Sequence, residues 1–296
     1  MARLVEAMPG NSGPDGVPEK AARFVYTVLW GFARIFSVIA LALAWEVLAR
    51  SGVFTPFQLP ALSAVLGRIW TDAVSGDLWI NTALTLYRAL VAFAICAIGG
   101  VAIGMAMSRN VFANWFFDPI VSVGFPMPKI AFLPVVILWL GVYDVSKITI
   151  IVIDAIFPVI AATVIAIQGV ERELIWSARN MGASNREVLH QVVLPAALPQ
   201  ILTGLQVALP LSLIVAVVAE MLMGGYGLGG AMMTASRFAN STSVFAGIVE
   251  IAVVGYVLVK AMALIRRRLL IWHQETQNFL GPCATATFPV SSRLVP

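Results

Sequence analysis

Charged side chains are scarce in this sequence. Of its 296 residues, only 11% are Asp, Glu, Lys or Arg, whereas 60% are hydrophobic. Soluble globular domains have about 25% charged residues, which cover the surface that faces water. The composition therefore excludes a soluble domain and indicates an integral membrane protein. Long apolar runs without strict alternation indicate that it is built from helices.

Side chains that bind metals or form disulfides are also few. The sequence has two cysteines, Cys96 and Cys283, and two histidines, His190 and His273. These four residues are too scattered for a disulfide framework or a metal cluster. The sequence contains no P-loop pattern and no Ser/His/Asp or Cys/His arrangement above chance. We therefore expect no cofactor, no metal and no catalytic activity in this chain.

Six apolar runs have about the 20 residues that a helix needs to cross a bilayer. They are Val25–Ala49, Ala83–Met107, Phe116–Leu140, Lys147–Gln168, Leu198–Met223 and Val244–Ile265. The sequence thus predicts an all-α polytopic protein with six transmembrane helices in a domain over residues 24–273. We expect a disordered cytoplasmic tail at 1–23, and we assign no role to the C-terminal tail at 274–296.

Two of the connecting segments have a character of their own. Residues 50–82 place Leu62, Val65 and Ile69 at helical spacing among polar residues, which predicts a short amphipathic surface helix. Residues 224–241 are rich in Gly, Ser and Thr, which predicts a bent loop.

Positive charge predicts the orientation in the membrane. If the N-terminus is inside, the basic residues that face the cytoplasm are Lys20, Arg23, Arg109, Arg172, Arg179, Arg186, Arg266, Arg267 and Arg268, and those that face outside are Arg50, Arg68, Arg88, Lys147 and Arg237. The excess inside predicts that both termini and the polar segment 170–197 are cytoplasmic. It also accounts for the net charge of +4 without any binding of nucleic acid.

The polar segment 170–197 carries the most specific local signals. Gly182 is suited to end one short helix in a left-handed conformation. Ser184 follows as an N-cap, and Glu187 stands three residues later, which is a capping-box pattern. These signals predict a second short helix over 184–193 that enters Pro195 and the fifth span. They fit a surface that is gripped by another protein and an ordinary structured loop equally well.

The same segment resembles the cytoplasmic loop of ABC importer permeases. That loop has the pattern Glu-Ala-Ala, three residues, Gly, nine residues and Ile-x-Leu-Pro, and Ala178, Gly182, Val192, Leu194 and Pro195 fall on this spacing. Two positions depart from it, because Trp176 stands where the family usually has Glu and Ser177 stands for the first Ala.

The resemblance extends over most of residues 45–273 and is to permeases of the nitrate/sulfonate/taurine/bicarbonate type. The matching segments are Trp45-Glu46, Leu59-Pro60, residues 81–88, Asp118-Pro119, residues 128–131, Leu133-Pro134, residues 139–141, Ser146-Lys147, Phe157-Pro158, Glu220-Met221, residues 227–229 and Trp272. Each is weak alone, but together they are specific.

This resemblance implies a type I ABC importer permease fold and a set of partners. Cytosolic ABC ATPase subunits would grip the coupling loop through Ala178, Arg179, Gly182, Ala183, Ser184, Arg186, Glu187, Leu194 and Pro195. An extracytoplasmic solute-binding protein would deliver the solute, and a second permease copy would complete the path, with a homodimer favoured over a heterodimer. The protein would lie among the lipids of the cell membrane.

The resemblance also implies a class of solute, which we expect to be a small polar anion of the nitrate, sulfonate, taurine or bicarbonate class. One alternative is the same machinery for another organic solute, such as a thiamine-pyrimidine precursor. Another is an ion-coupled secondary transporter, although the sequence shows no internal repeat of the kind that such carriers use.

Ionisable residues inside the spans are candidates for the translocation path or gate. Lys129 lies near the middle of the third span, where Pro126 and Pro128 are expected to kink or break the helix. Lys129 either attracts an anion or pairs with Asp154 of the fourth span, and we favour the pair because unpaired buried charge is costly.

Glu220 and Met221 form the second candidate site, near the outer end of the fifth span. Glu220 marks a gate or the docking face for the binding protein, or its carboxylate simply reaches interfacial water. The sequence does not separate these interpretations.

Overall fold

The computed structural model describes residues 36–270. The predicted tails at 1–23 and 274–296 lie outside the described residues, as does the first part of the predicted span Val25–Ala49. Within the described part, every regular element is a helix. The described residues divide into two compact units, residues 36–65 and 66–270.

In the first unit, residues 36–50 form a helix that we name α1. The Glu46 carboxylate accepts hydrogen bonds from the Ser63 hydroxyl (2.9 Å) and backbone N–H (3.2 Å), and it pairs with Arg50 at 2.6 Å. The Trp45 indole N–H donates to the Pro60 carbonyl at 3.0 Å. These bonds fix the turn after α1. Helix α2, Leu62–Ser75, follows and confirms the helix that was predicted within residues 50–82.

The remaining elements follow in chain order. They are α3 Asp77–Arg109, α4 Val111–Gly124, a 3-10 turn Lys129–Phe132, α5 Leu133–Leu140, α6 Asp144–Gln168, α7 Arg172–Asn180, α8 Asn185–Glu187, a π-helical turn Val188–Val193, α9 Leu194–Met223, α10 Leu228–Arg237 and α11 Ser241–Leu269.

Four of these helices are long and apolar enough to cross a membrane. They are α3, α6, α11 and the continuous stretch Asn185–Met223 that includes α9. The second, fourth, fifth and sixth predicted spans each lie within one of them. Helix α3 begins at Asp77, six residues before the predicted span, so residues 77–82 belong to it and not to the surface helix.

The third predicted span is broken. Helix α4 and the stretch Lys129–Leu140 meet at an angle of 95°. Pro126 and Pro128 lie at the break, and neither has a backbone N–H to continue a helical ladder. The four residues from Phe125 to Pro128 therefore leave the helix, and the chain resumes as a 3-10 turn.

The core of the second unit lies between α3, α6 and α9. Small residues allow these helices to approach closely. Gly100 and Gly104 of α3 face Val159 and Thr163 of α6, and a Cβ at either glycine would meet those side chains within 3 Å. Replacing either glycine would force α3 and α6 apart.

The predicted loop at 224–241 contains a helix, so that prediction is wrong for residues 228–237. Gly224 ends α9 at φ +72°, and Gly227 begins α10 at φ +127°. Asn81 and Thr85 of α3 supply the acceptors for the first backbone N–H groups, at 2.9 Å to the N–H of Gly227 and 2.9 Å to that of Leu228. The richness in Gly, Ser and Thr predicts a bent loop, whereas these tertiary bonds fix the start of a helix.

Candidate functional site

The coupling loop, which is the segment 170–197, turns sharply at Gly182. Helix α7 ends at Asn180, and Gly182 adopts φ +88°. The N–H of Gly182 donates to the Arg179 carbonyl (2.9 Å), and that of Ala183 donates to the Ala178 carbonyl (3.1 Å). This is a glycine helix stop of the left-handed type. A Cβ at Gly182 would meet nothing within 4 Å, so only the backbone conformation demands glycine there.

The predicted capping box is confirmed at Ser184. The Ser184 backbone N–H donates to the Glu187 carboxylate at 2.7 Å, and the Glu187 N–H donates to the Ser184 hydroxyl at 3.4 Å. The helix that starts here does not end at 193 as predicted. It passes through a π-helical turn at Val188–Val193 and runs on as α9.

Pro195 accounts for the π-helical turn. A proline lacks the N–H that would bond to the carbonyl four residues earlier, and its ring crowds that carbonyl. The chain widens instead, and the Leu194 N–H donates to the carbonyl of Leu189, five residues back. The coupling loop is therefore joined to the fifth span by one uninterrupted helix from Asn185 to Met223.

One side of the coupling loop is buried and the other faces outward. Ala178, Val188 and Val193 form a small apolar core that holds α7 against the π-helical turn. The Arg109 guanidinium at the end of α3 also donates to the Asn185 carbonyl at 3.4 Å. The predicted loop residues Arg179, Gly182, Ser184, Arg186, Glu187 and Pro195 are exposed, Ala183 and Leu194 are partly buried, and Ala178 is buried.

Apolar side chains also lie on the outward side of this loop. Trp176 and Met181 are 56% and 80% exposed, and Leu174 is 46% exposed. Trp176 occupies the position where ABC importer permeases usually have Glu, so this loop offers an indole where they offer a carboxylate.

Lys129 and Asp154 form an ion pair near the middle of the bundle. Their Nζ and Oδ1 atoms lie 3.5 Å apart, and Lys129 is 8% exposed. The ammonium also donates to the Phe125 carbonyl at 2.9 Å and lies 4.9 Å from the centroid of the Phe157 ring. The pair that we favoured is present, and Pro128 is exposed next to it. A role of Lys129 in the path stays a prediction.

Glu220 lies in a buried network at the opposite end of the bundle from the coupling loop. Its side chain is 0% exposed, so the interpretation that it reaches interfacial water is wrong. The carboxylate accepts hydrogen bonds from Arg88 Nη1 (2.5 Å), the Thr85 hydroxyl (2.9 Å) and the Gly229 N–H (3.1 Å). The adjacent Met221 is partly buried.

Arg88 connects this carboxylate to a third helix. Its Nε and Nη2 atoms bind the Asp144 carboxylate of α6 at 2.8 Å and 2.7 Å, and its Nη1 also donates to the Tyr226 carbonyl at 2.7 Å. Lys147 of α6 donates to the Gly224 carbonyl at 3.0 Å. Two positive charges thus face two negative ones, and together they hold the segment 224–227 to α3, α6 and α9.

The sequence did not reveal this network. The positive-inside rule placed Arg88 and Lys147 among charges outside the membrane, but both are only 4% exposed. Thr85 and Arg88 lie one helical turn apart within a span, so they share one face of α3. Two polar side chains on one face of an apolar helix were the available sign of a buried polar network. No set of three or more His, Cys, Asp or Glu side chains in the described residues is arranged to hold a metal ion.

Comparisons with known proteins agree with this architecture. The family model described as "Binding-protein-dependent transport system inner membrane component" matches residues 98–271. A taurine transport system permease protein of Escherichia coli (strain K12) is 32% identical over 248 residues, which is 82% of this chain and 90% of the relative. A protein of Bacillus subtilis (strain 168), named as a candidate permease for aliphatic sulfonates, is 32% identical over 268 residues, which is 90% of this chain and 96% of the relative.

A solved structure has a similar fold. This chain matches one from an inward-facing form of the MetNI methionine ABC transporter with a TM-score of 0.54. The match covers 66% of this chain and 94% of that chain, at 21% sequence identity. At that identity, the likeness shows a shared fold.

Proposed function

Because this chain belongs to the binding-protein-dependent transport system inner membrane components, and has the type I ABC importer permease fold, we propose that it is the permease subunit of an ATP-driven importer. Two cytosolic ABC ATPase subunits bind below it, an extracytoplasmic binding protein delivers the solute, and a second copy of this chain completes the path. The ATPase subunits hydrolyse ATP, and this chain has no catalytic role. Both of its termini face the cytoplasm of the cell.

The observation that carries the proposal is the construction of the coupling loop. Its exposed side has both polar and apolar side chains. Its buried side is held in place by an apolar core, and a capping box fixes the start of its second helix. Because the loop is rigid, a force applied at Ser184 moves the attached helix and does not merely deform the loop. The helix from Asn185 to Met223 carries that force to Glu220 at the other end. Closure of the ATPase subunits would thus rock the spans as rigid bodies.

We propose separate roles for the two candidate sites, of which only Glu220 and Met221 lie on this helix. The network of Arg88 and Glu220 closes the outer end by holding the segment 224–227 in place. The Lys129–Asp154 pair lies at the break of the third span, where irregular backbone in a membrane is tolerated only beside protein or water. We assign Glu220 and Met221 to the gate, and Pro128, Lys129 and Asp154 to the path.

We propose a sulfonate-type anion as the solute. The name of the Escherichia coli relative points to taurine, which is an aminosulfonate, and that of the Bacillus subtilis relative points to aliphatic sulfonates. Both relatives are similar to this chain over at least 80% of its length, which includes the gate and the path.

Uptake into vesicles tests the proposal. The permease is reconstituted with its ATPase and binding protein, and entry of a labelled sulfonate is measured with ATP, with ATP and vanadate, and with a proton gradient alone. We expect uptake that needs ATP and that vanadate stops. Uptake driven by the proton gradient without ATP would instead identify a secondary carrier.

A further inference from the structure

A cavity of about 520 Å³ lies between α3, α10 and α11, at the end of the bundle away from the coupling loop. Its volume lies within the range of about 300–1,000 Å³ that is typical of small-molecule sites. Residues of the neighbouring part of α2 also line it, as do the aromatic side chains of Tyr226 and Phe238. Neither the coupling loop nor the Lys129–Asp154 pair contributes to this cavity.

Helix α11 presents one polar stripe to the cavity. Ser243, Gly247 and Glu250 follow one another at helical spacing along it, and Gly247 packs closely against the Met232 side chain of α10. Ser243 Oγ and Glu250 Oε1 are shielded from solvent and have no hydrogen-bond partner within the described residues. Such atoms are costly to bury. The terminal torsion of a glutamate is broad, so a small rotation turns Oε1 toward a donor that enters the cavity.

The charges around the cavity favour a cation. Arg68 and Asp72 neutralise each other in a pair at 2.8 Å, and the Asp77 carboxylate accepts a hydrogen bond from the neutral Ser75 hydroxyl at 3.0 Å. With Glu250, the lining therefore has one positive and three negative formal charges. An anion would be repelled. Aromatic rings beside carboxylates are, in contrast, the usual surroundings of an ammonium group.

We infer that this cavity binds a small ligand with a primary ammonium group, held by the Glu250 carboxylate and the Ser243 hydroxyl. An ammonium has three N–H donors, which suits two separate oxygen acceptors. A divalent metal ion fits less well, because it needs more oxygen ligands than Glu250 and Ser243 supply.

This site deepens the proposed function, and its link to transport rests on that function. An aminosulfonate carries an ammonium at one end, whereas an unsubstituted alkanesulfonate does not. The cavity would therefore select aminosulfonates within the sulfonate class, by their positive end.

Equilibrium dialysis tests the inference directly. The complex of permease and ATPase, in lipid nanodiscs and without binding protein or ATP, is dialysed against labelled ethylammonium. We expect saturable binding that 2-aminoethanesulfonate competes for and ethanesulfonate does not. Glu250→Gln should weaken ethylammonium binding about tenfold or more, since hydrogen bonds to charged groups are the strong ones.

Two further variants make the result specific. Ala235→Leu adds volume to the cavity wall while Glu250 is kept, and it should also reduce binding. Asp118→Asn, an exposed carboxylate of α4 outside the cavity, should leave binding unchanged. The melting temperature of each complex checks that it is folded.

Three results would overturn the inference: no saturable ethylammonium binding, equal binding by Glu250→Gln and the original complex, or equal competition by both sulfonates. Because the assay uses neither ATP nor uptake, these outcomes leave the vesicle experiment untouched. A failure of ATP-driven uptake would in turn leave the binding result standing.

Discussion

Arg88 and Glu220 are 132 residues apart in sequence, and their side chains meet in a buried ion pair at 2.5 Å. The pair joins α3 to α9, and its arginine also reaches α6 through Asp144. No solvent reaches the Glu220 side chain. The end of the bundle away from the coupling loop is thus held by charges that are satisfied only when three helices are in place.

Removing the Glu220 charge should destabilise the protein strongly. Glu220→Gln leaves the Arg88 guanidinium buried beside a neutral amide, and breaking a buried pair costs about 3–5 kcal/mol. Asp144→Asn removes the other partner of Arg88. The Asp144 side chain is 48% exposed. That matched change should cost much less because water can replace the lost charge. Chemical unfolding in detergent measures both, and equal losses of unfolding free energy would contradict the assigned burial.

Gly227 should tolerate a methyl group less well than Gly224. Both have positive φ, at +127° and +72°. A Cβ at Gly224 meets nothing within 4 Å, whereas one at Gly227 would run into the Glu220 carboxylate. Gly227→Ala should therefore lower both the melting temperature and the uptake rate more than Gly224→Ala does. Equal losses in the two variants would mean that backbone strain alone causes the effect and that contact with the Glu220 carboxylate adds nothing.

Lys129 and Asp154 should behave as a coupled pair. We expect Lys129→Gln and Asp154→Asn each to reduce uptake and stability, because each leaves one charge without its partner. The double variant should recover most of both, with a coupling energy of about 0.5–3 kcal/mol in the double-mutant cycle. Full recovery would assign the pair a structural role. Recovery of stability without recovery of uptake would instead give Lys129 a role in attracting the solute.

Ser184 should matter through its side-chain oxygen. Ser184→Ala removes the acceptor of the capping box and should cost about 1 kcal/mol. Ser184→Asp keeps an acceptor at the N-cap and serves as the control. We expect the alanine variant to take up less solute per ATP hydrolysed, because the start of the helix frays. The aspartate variant should have the same ratio as the original protein. Identical ratios of uptake to hydrolysis in both would show that the cap does not transmit force.

Local patterns in the sequence predict the turn and the capping box of the coupling loop. The turn at Gly182 and the bonds between Ser184 and Glu187 involve residues a few positions apart, so spacing alone predicts them. The apolar runs likewise predict the spans, because the bilayer fixes their length. The break beside Pro128 follows from the missing N–H groups of proline.

The network of Arg88 and Glu220, in contrast, could not be predicted without the tertiary structure. The partner of Arg88 lies on a helix 132 residues away, and no periodicity connects the two. The sequence predicts a loop where α10 lies, because residues 224–241 are rich in Gly, Ser and Thr. Its first N–H groups find acceptors on α3, at Asn81 and Thr85, and sequence spacing does not show that contact.

The account depends most on the coupling loop as the part that transmits work from ATP hydrolysis, and replacement of Gly182 tests this directly. Valine resists the observed φ of +88°, at a cost of about 1–2 kcal/mol, while nothing within 4 Å opposes its Cβ. Asparagine accepts this conformation and is the control. In vesicles that hold an intact complex, we predict that Gly182→Val reduces ATP-driven uptake about tenfold and that Gly182→Asn does not. Undiminished uptake by a fully assembled Gly182→Val complex would contradict the account.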